Sequence, residues 1–120
     1  MSDGKLENWS PEEVKAAMDQ GDILLVDVRT PQEYLLEHIE GAMLFPMADF
    51  QAGRLPKQSD KQIVLHCGSG ARSKKVGEQC LIYGLEMMAH MEGGFGAWKD
   101  KKLPYIGTDM VSGAPKKMPS

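Results

Sequence analysis

The chain has 120 residues, 42% of them hydrophobic and 26% charged, with a formal charge of −3; this excludes disordered and collagen-like classes and suits one domain with one core. Its two cysteines are too few for a disulfide scaffold, so a reduced, cytoplasmic protein is expected. No apolar run approaches the roughly 20 residues of a membrane span, and Met1-Ser2-Asp3-Gly4 lacks the pattern of a secretory leader.

In chain order, Ser10-Pro11-Glu12-Glu13 predicts a helix start, with Ser10 as N-cap and Glu13 closing a capping box. Val14, Ala17 and Met18 give it an apolar stripe that stops at Gly21. Ile23 to Val26 is apolar on both faces, as in a central parallel strand. Thr30-Pro31-Gln32-Glu33 repeats the capping signature and opens a short helix, expected to turn Tyr34 and Leu35 inward. Ala42 to Phe45 reads as a short strand, residues 47–54 as one or two helical turns, and 56–62 as a polar loop. Ile63 to His66 is the next buried strand. A tight loop over Gly68 to Gly70 precedes a helix from Ser73 to Tyr83, ended by Gly84. Glu86 to Met91 is a last strand, and Gly93-Gly94 turns into a helix carrying Trp98. From residue 107 to 120 the composition predicts a loose tail. Strands alternating with helices argue for an α/β fold with a mainly parallel central sheet and helices on both faces.

The charge is uneven: residues 1–60 carry 12 acids and 5 bases, residues 61–120 carry 5 acids and 9 bases. This is not the basic surface of a nucleic-acid binder. It does place positive charge in the half that holds the most informative segment, Ile63-Val-Leu-His-Cys67-Gly68-Ser69-Gly70-Ala71-Arg72-Ser73. A strand delivers Cys67 at its carboxyl end, where open α/β sheets bind ligands. Successive backbone N–H groups in the turn, with the helix N-terminus behind them, form an anion-binding concavity. A thiolate there is stabilised without a dedicated base. His66 is expected to face away from Cys67, because adjacent strand residues point to opposite faces.

This loop resembles the active-site loop of rhodanese-type sulfurtransferases. Leu25-Val26-Asp27-Val28-Arg29, Glu33-Tyr34 leading to His38-Ile39-Glu40-Gly41-Ala42, Gly93-Gly94-Phe95-Gly96-Ala97-Trp98 and Leu103-Pro104 match further family segments in order, so the resemblance spans residues 8–105. It implies that Cys67 attacks the outer sulfur of a donor such as thiosulfate, becomes a persulfide, and passes the sulfur to cyanide, a small thiol or a protein thiol. Arg72 with the amides of Gly68, Ser69, Gly70, Ala71 and Ser73 would hold the anion. The Asp27 and Arg29 positions would support the loop, with Asp27 pairing with a basic group for which Arg72 is the candidate. No cofactor, nucleic acid or membrane is implied.

Four residues separate Cys67 from Arg72, where the related cell-cycle dual-specificity phosphatases carry five; the shorter loop favours sulfur over phosphate. Thiosulfate-selective members carry a basic residue directly after the cysteine, and here that position is Gly68, which should weaken binding of a dianion. That departure keeps open a second reading, a persulfide carrier acting on a partner protein; a non-catalytic interaction domain is a third. Cys80, on the following helix, is expected to be core packing. Cys67, Cys80, His38, His66 and His90 lack the Cys-x2-Cys or His-x3-His spacing of a metal site.

Overall fold

The computed structural model describes residues 4–119; the Met1 to Asp3 stretch read for a leader, and Ser120 at the end of the expected tail, lie outside them. The elements run β1 (Lys5–Trp9), α1 (Pro11–Asp19), β2 (Ile23–Asp27), α2 (Pro31–Leu36), β3 (Met43–Leu44), two 3₁₀ turns, β4 (Gln62–His66), α3 (Ala71–Tyr83), β5 (Met87–Met91), α4 (Gly94–Asp100), β6 (Tyr105–Thr108) and β7 (Pro115–Met118). Both capping boxes form: Ser10 and Thr30 each accept the backbone N–H three residues on, and Glu13 and Glu33 each return a bond to the cap. These boxes stop α1 and α2 from unravelling towards the strands before them.

Five strands make one parallel sheet in the order β1-β5-β4-β2-β3. Because side chains alternate along each strand, the sheet has two different buried faces. Ile23, Leu25, Val64, Ala89 and Met91 point to one, where they pack with Val14 of α1 and Phe95 and Trp98 of α4. Val26, Ile63, Leu65 and Met88 point to the other, with Val76 and Cys80 of α3. Layers on both sides explain why β2 and β4 are apolar throughout.

Two expectations are corrected. The segment read as a loose tail is paired: β6 and β7 form an antiparallel hairpin, and Ile106 exchanges backbone bonds of 2.8 and 2.9 Å with His38. Its turn is held by the Asp109 carboxylate, which accepts the N–H groups of Val111 and Ser112. Gly, Pro and Lys lower the apolar content of this stretch, but the hairpin's bonds are backbone bonds and need little side-chain burial. Leu35, expected to face inward, is 82% exposed; α2 is too short to bury a second apolar position beside Tyr34, whose hydroxyl donates to Ala42 O at 2.7 Å. Strand β1 was not expected from the sequence, and it becomes part of the site.

Candidate active site

Cys67 follows β4, the middle strand, at the carboxyl end of the sheet. Gly70, at φ +107°, turns the chain so that α3 starts directly beneath the thiol; this left-handed conformation is costly for any residue with a Cβ. The N–H of Gly70 donates to Cys67 Sγ at 3.0 Å and the N–H of Ser73 at 3.4 Å. Both belong to the group of amides at a helix start that have no partner inside the helix. The Ser73 hydroxyl lies 3.7 Å from Sγ. Burial pushes the Cys67 thiol up, but the Ser73 amide and hydroxyl and the Gly70 and Ser69 amides outweigh it, so the thiol sits below its ordinary value.

The loop is held from above by α4. Phe95 N–H donates to Cys67 O at 2.8 Å and Gly96 N–H to Gly68 O at 3.0 Å. The chain can approach this closely only because residue 94 is glycine: a Cβ there would lie 2.5 Å from Cys67 O and 2.6 Å from the Gly68 carbonyl carbon, at φ +60°. The Gly93-Gly94-Phe95-Gly96 segment therefore fixes the loop's backbone, a role that spacing alone did not assign.

The charged groups pair differently from expectation. Asp27 binds Arg29, not Arg72: Arg29 Nη2 donates to Asp27 Oδ2 at 2.8 Å and Arg29 Nε to Oδ1 at 3.0 Å. Asp27 shares the sheet face of Ile23 and Leu25, and Arg29 lies over the Phe95 ring of that core. Cys67 lies on the opposite face, which puts the Asp27 carboxylate on the wrong side of the sheet for Arg72. Arg72 instead pairs with Glu33 of α2, with Nη1–Oε1 at 2.8 Å and Nη2–Oε2 at 3.0 Å. The same Glu33 Oε1 accepts from the Thr30 amide and hydroxyl in the capping box. The Arg72 bond, with help from Thr30, overcomes burial and draws Glu33 down to about 2. An added Cβ at Gly68 would lie 3.2 Å from Arg72 Nη2, so the guanidinium rests against the loop just after Cys67.

His66 faces away from the thiol, as expected. Its ring is fully buried, Nε2 stands 3.5 Å from Asp27 Oδ2 and Nδ1 is 3.3 Å from Cys67 O; burial, the largest influence, pushes its pKa below the ordinary value. Cys80 is buried among Val76, Met88 and Leu65, and burial raises its thiol to about 11. Among the described residues no group of three or more His, Cys, Asp or Glu is placed to hold a metal, and no helix is long and apolar enough to cross a membrane.

Two residues of the site were missed. His90 Nδ1 lies 2.9 Å from Ser73 Oγ, and His90 Nε2 lies 2.7 Å from Asn8 Oδ1. A histidine inside the apolar run Met87 to Met91 was the available signal. Asn8 offered none, because an edge strand with mixed polarity gives no clean alternation.

A cleft of about 430 Å³ opens beside the loop, lined by Val28, Arg29, Thr30, Met47, Asp49 and Arg72 among others. Cys67 has no exposed surface and does not line it.

The chain is similar to several known proteins. A sulfurtransferase of Allochromatium vinosum is 34% identical over 90 residues, covering 73% of this chain and 82% of that protein. A probable adenylyltransferase/sulfurtransferase of Mycobacterium tuberculosis is 34% identical over 107 residues, and an uncharacterized Synechocystis protein is 36% identical over 99. The alignments cover 26% and 55% of those two proteins, so this chain corresponds to only part of each. Among solved structures, a Rhodopseudomonas palustris protein of unknown function, described as a possible tyrosine phosphatase, superposes with a TM-score of 0.72 at 30% identity, covering 82% of this chain and 83% of that one. The rhodanese-like domain of an Anabaena protein gives 0.74 at 23% identity, covering 94% and 87%, a likeness of fold. Residues 10–101 match the family model of the rhodanese-like domain, and the chain belongs to that family.

Proposed function

We propose that the protein moves sulfane sulfur through a persulfide on Cys67. The observation that carries this reading is the amide cradle of Gly70 and Ser73 on Sγ, which favours an anionic sulfur in a buried place. Cys67 thiolate attacks the transferable sulfur of the donor; the bond holding that sulfur breaks (S–S in thiosulfate or a persulfide, C–S in mercaptopyruvate), its electron pair leaves with sulfite, thiolate or the pyruvate enolate respectively, and the sulfur stays on Cys67. The terminal sulfur of the persulfide then meets the same amides until a thiol or cyanide takes it. Loop amides from Gly68 to Ser73 and the Arg72 guanidinium form the anion site, and Asp27 and Arg29 brace the strand ends below it. A free Cys67 thiol suits a reducing compartment, such as the cytoplasm.

The pairing of Arg72 bears on the donor. Its charge is already met by a carboxylate held in a capping box, and Gly68 supplies no second cation. The site is therefore better matched to donors of low charge, or to a persulfide delivered by a protein, than to a dianion. This favours the carrier reading, in which turnover with cyanide is slow and handover to a protein thiol is fast. Phosphate transfer is disfavoured by the same neutralised arginine and by the four-residue spacing between Cys67 and Arg72.

The test is intact mass after incubation with thiosulfate, mercaptopyruvate or glutathione persulfide. A gain of one sulfur that disappears in Cys67→Ser is expected. No gain with any donor overturns the proposal, and phenyl phosphate hydrolysis lost in Cys67→Ser would replace it with phosphatase chemistry.

A further inference from the structure

The Ser73 hydroxyl that faces Cys67 is also the first link of a chain leading out of the loop. Ser73 is fully buried and His90 is 4% exposed. From the sulfur, the contacts run Sγ to Ser73 Oγ at 3.7 Å, Oγ to His90 Nδ1 at 2.9 Å, and His90 Nε2 to Asn8 Oδ1 at 2.7 Å. Register places these groups together: His90 is the partner of Leu65 across β4 and β5, and of Asn8 across β5 and β1. His90 therefore lies on the sheet face of Leu65 and Cys67.

The proton positions follow from chemistry. Asn8 Oδ1 can only accept, so His90 Nε2 carries a proton and the neutral ring offers a lone pair at Nδ1. Ser73 has one proton. With His90 neutral, that proton goes to Nδ1, and a lone pair of Oγ faces the sulfur, which suits an S–H. With His90 protonated, Nδ1–H donates to Oγ, and the hydroxyl proton is free to turn to the sulfur, which suits a thiolate. Gly70 O, the other acceptor near Ser73, is more distant at 3.2 Å.

We propose that His90, its tautomer fixed by Asn8, receives the Cys67 proton through Ser73 and so positions the serine hydroxyl as a donor to the thiolate. As the S–H bond breaks, an Oγ–H bond forms; as the original Oγ–H bond breaks, an Nδ1–H bond forms. The sulfur keeps its electron pair, the hydroxyl is regenerated pointing at it, and the imidazolium balances the charge. His90 is thus a positioning residue that acts through Ser73. The sulfur-transfer reading gives this step its purpose, but the step itself needs no sulfur donor.

The ring's surroundings pull in both directions. Burial is the largest influence and pushes His90 below its ordinary value. Glu92, just after the end of β5, and Glu78 on α3 favour the imidazolium, while Lys74 on α3 opposes it. β1 presents the neutral Asn8 and β4 the apolar Leu65.

The experiment titrates the ultraviolet absorbance of the Cys67 thiolate in the wild type and in His90→Gln, each read against its own Cys67→Ser counterpart. Glutamine can donate to Ser73 but cannot take up a proton. The midpoint is expected to rise by roughly one pH unit on losing the imidazolium, and below both midpoints the thiolate fraction then falls about tenfold. Should His90→Gln fail to fold, the His90 ring is followed by NMR in the wild type and in Cys67→Ala. The imidazolium is expected to persist to roughly one pH unit higher when Cys67 is present. Coincident midpoints in either comparison overturn the relay and leave Ser73, His90 and Asn8 as a brace between α3, β5 and β1. Neither measurement uses a sulfur donor, so failure of the relay and failure of sulfur transfer are told apart.

Discussion

Cys67 and Cys80 are both free and both without exposed surface, and both belong to the same packed layer under α3. Their thiols nevertheless shift in opposite directions, Cys67 below its ordinary value and Cys80 up to about 11. The difference is their place relative to one helix. Cys67 stands before α3, where amides with no partner inside the helix can turn to a sulfur. Cys80 is within α3, where the amides are spent on helix bonds and only burial acts on it. Burial alone makes an inert thiol; burial with free N–H donors makes a thiolate site.

The largest effect expected from this contrast is on persulfide formation. Cys67→Ser should abolish the gain of sulfur seen by intact mass, whereas Cys80→Ala should keep it. A gain that survives in Cys67→Ser and vanishes in Cys80→Ala would reverse the assignment.

A second test acts on the backbone that presents Cys67. Gly94→Ala places a Cβ against the carbonyls of Cys67 and Gly68 and should cost roughly 3 kcal/mol, within the range of backbone strain plus steric clash. Gly21→Ala, also at positive φ but in open space, should cost only about 1 kcal/mol. Urea unfolding of both variants measures the gap; equal losses would mean that the α4 contact does not hold the loop.

Glu33→Gln sharpens the question of charge. Because Glu33 titrates near 2, it stays ionised and bound to Arg72 at every working pH. Removing its charge should raise the rate of persulfide formation with thiosulfate several-fold, with little change for an uncharged donor. An equal change for both donors would show that Arg72 does not read donor charge.

The smallest effect concerns Cys80 and alkaline pH. Its folded value of about 11 exceeds the ordinary 9.0, so the unfolded chain loses this proton first. The stabilisation is complete below pH 9 and is lost as pH rises towards 11. Cys80→Ala should lower stability at neutral pH by about 1–2 kcal/mol through the cavity it leaves, yet show a shallower loss above pH 9. Parallel stability curves for the two proteins would contradict the burial argument.

Much of the fold was readable where local signals agree with tertiary demands. The capping boxes at Ser10 and Thr30, the two-sided apolar runs of β2 and β4, and the glycines around Cys67 each state a local requirement. Strand β1 and the β6–β7 hairpin were not readable, since both are held by backbone pairing to segments far away in sequence. The site divides the same way. Cys67 and its loop follow from strand, turn and helix in succession. The partner of Arg72 does not, because Asp27 and Glu33 are both acidic and nearby in sequence, and only the side of the sheet decides between them.

By itself the amino-acid sequence determined the two capped helices, the central strands β2 and β4, and the turn that aims helix amides at Cys67, because these depend on contiguous residues. The tertiary structure decided what the charges do. It gave Arg29 to Asp27 and Arg72 to Glu33, and it brought His90 and Asn8 to Ser73, since strand order and register set which distant side chains share one face.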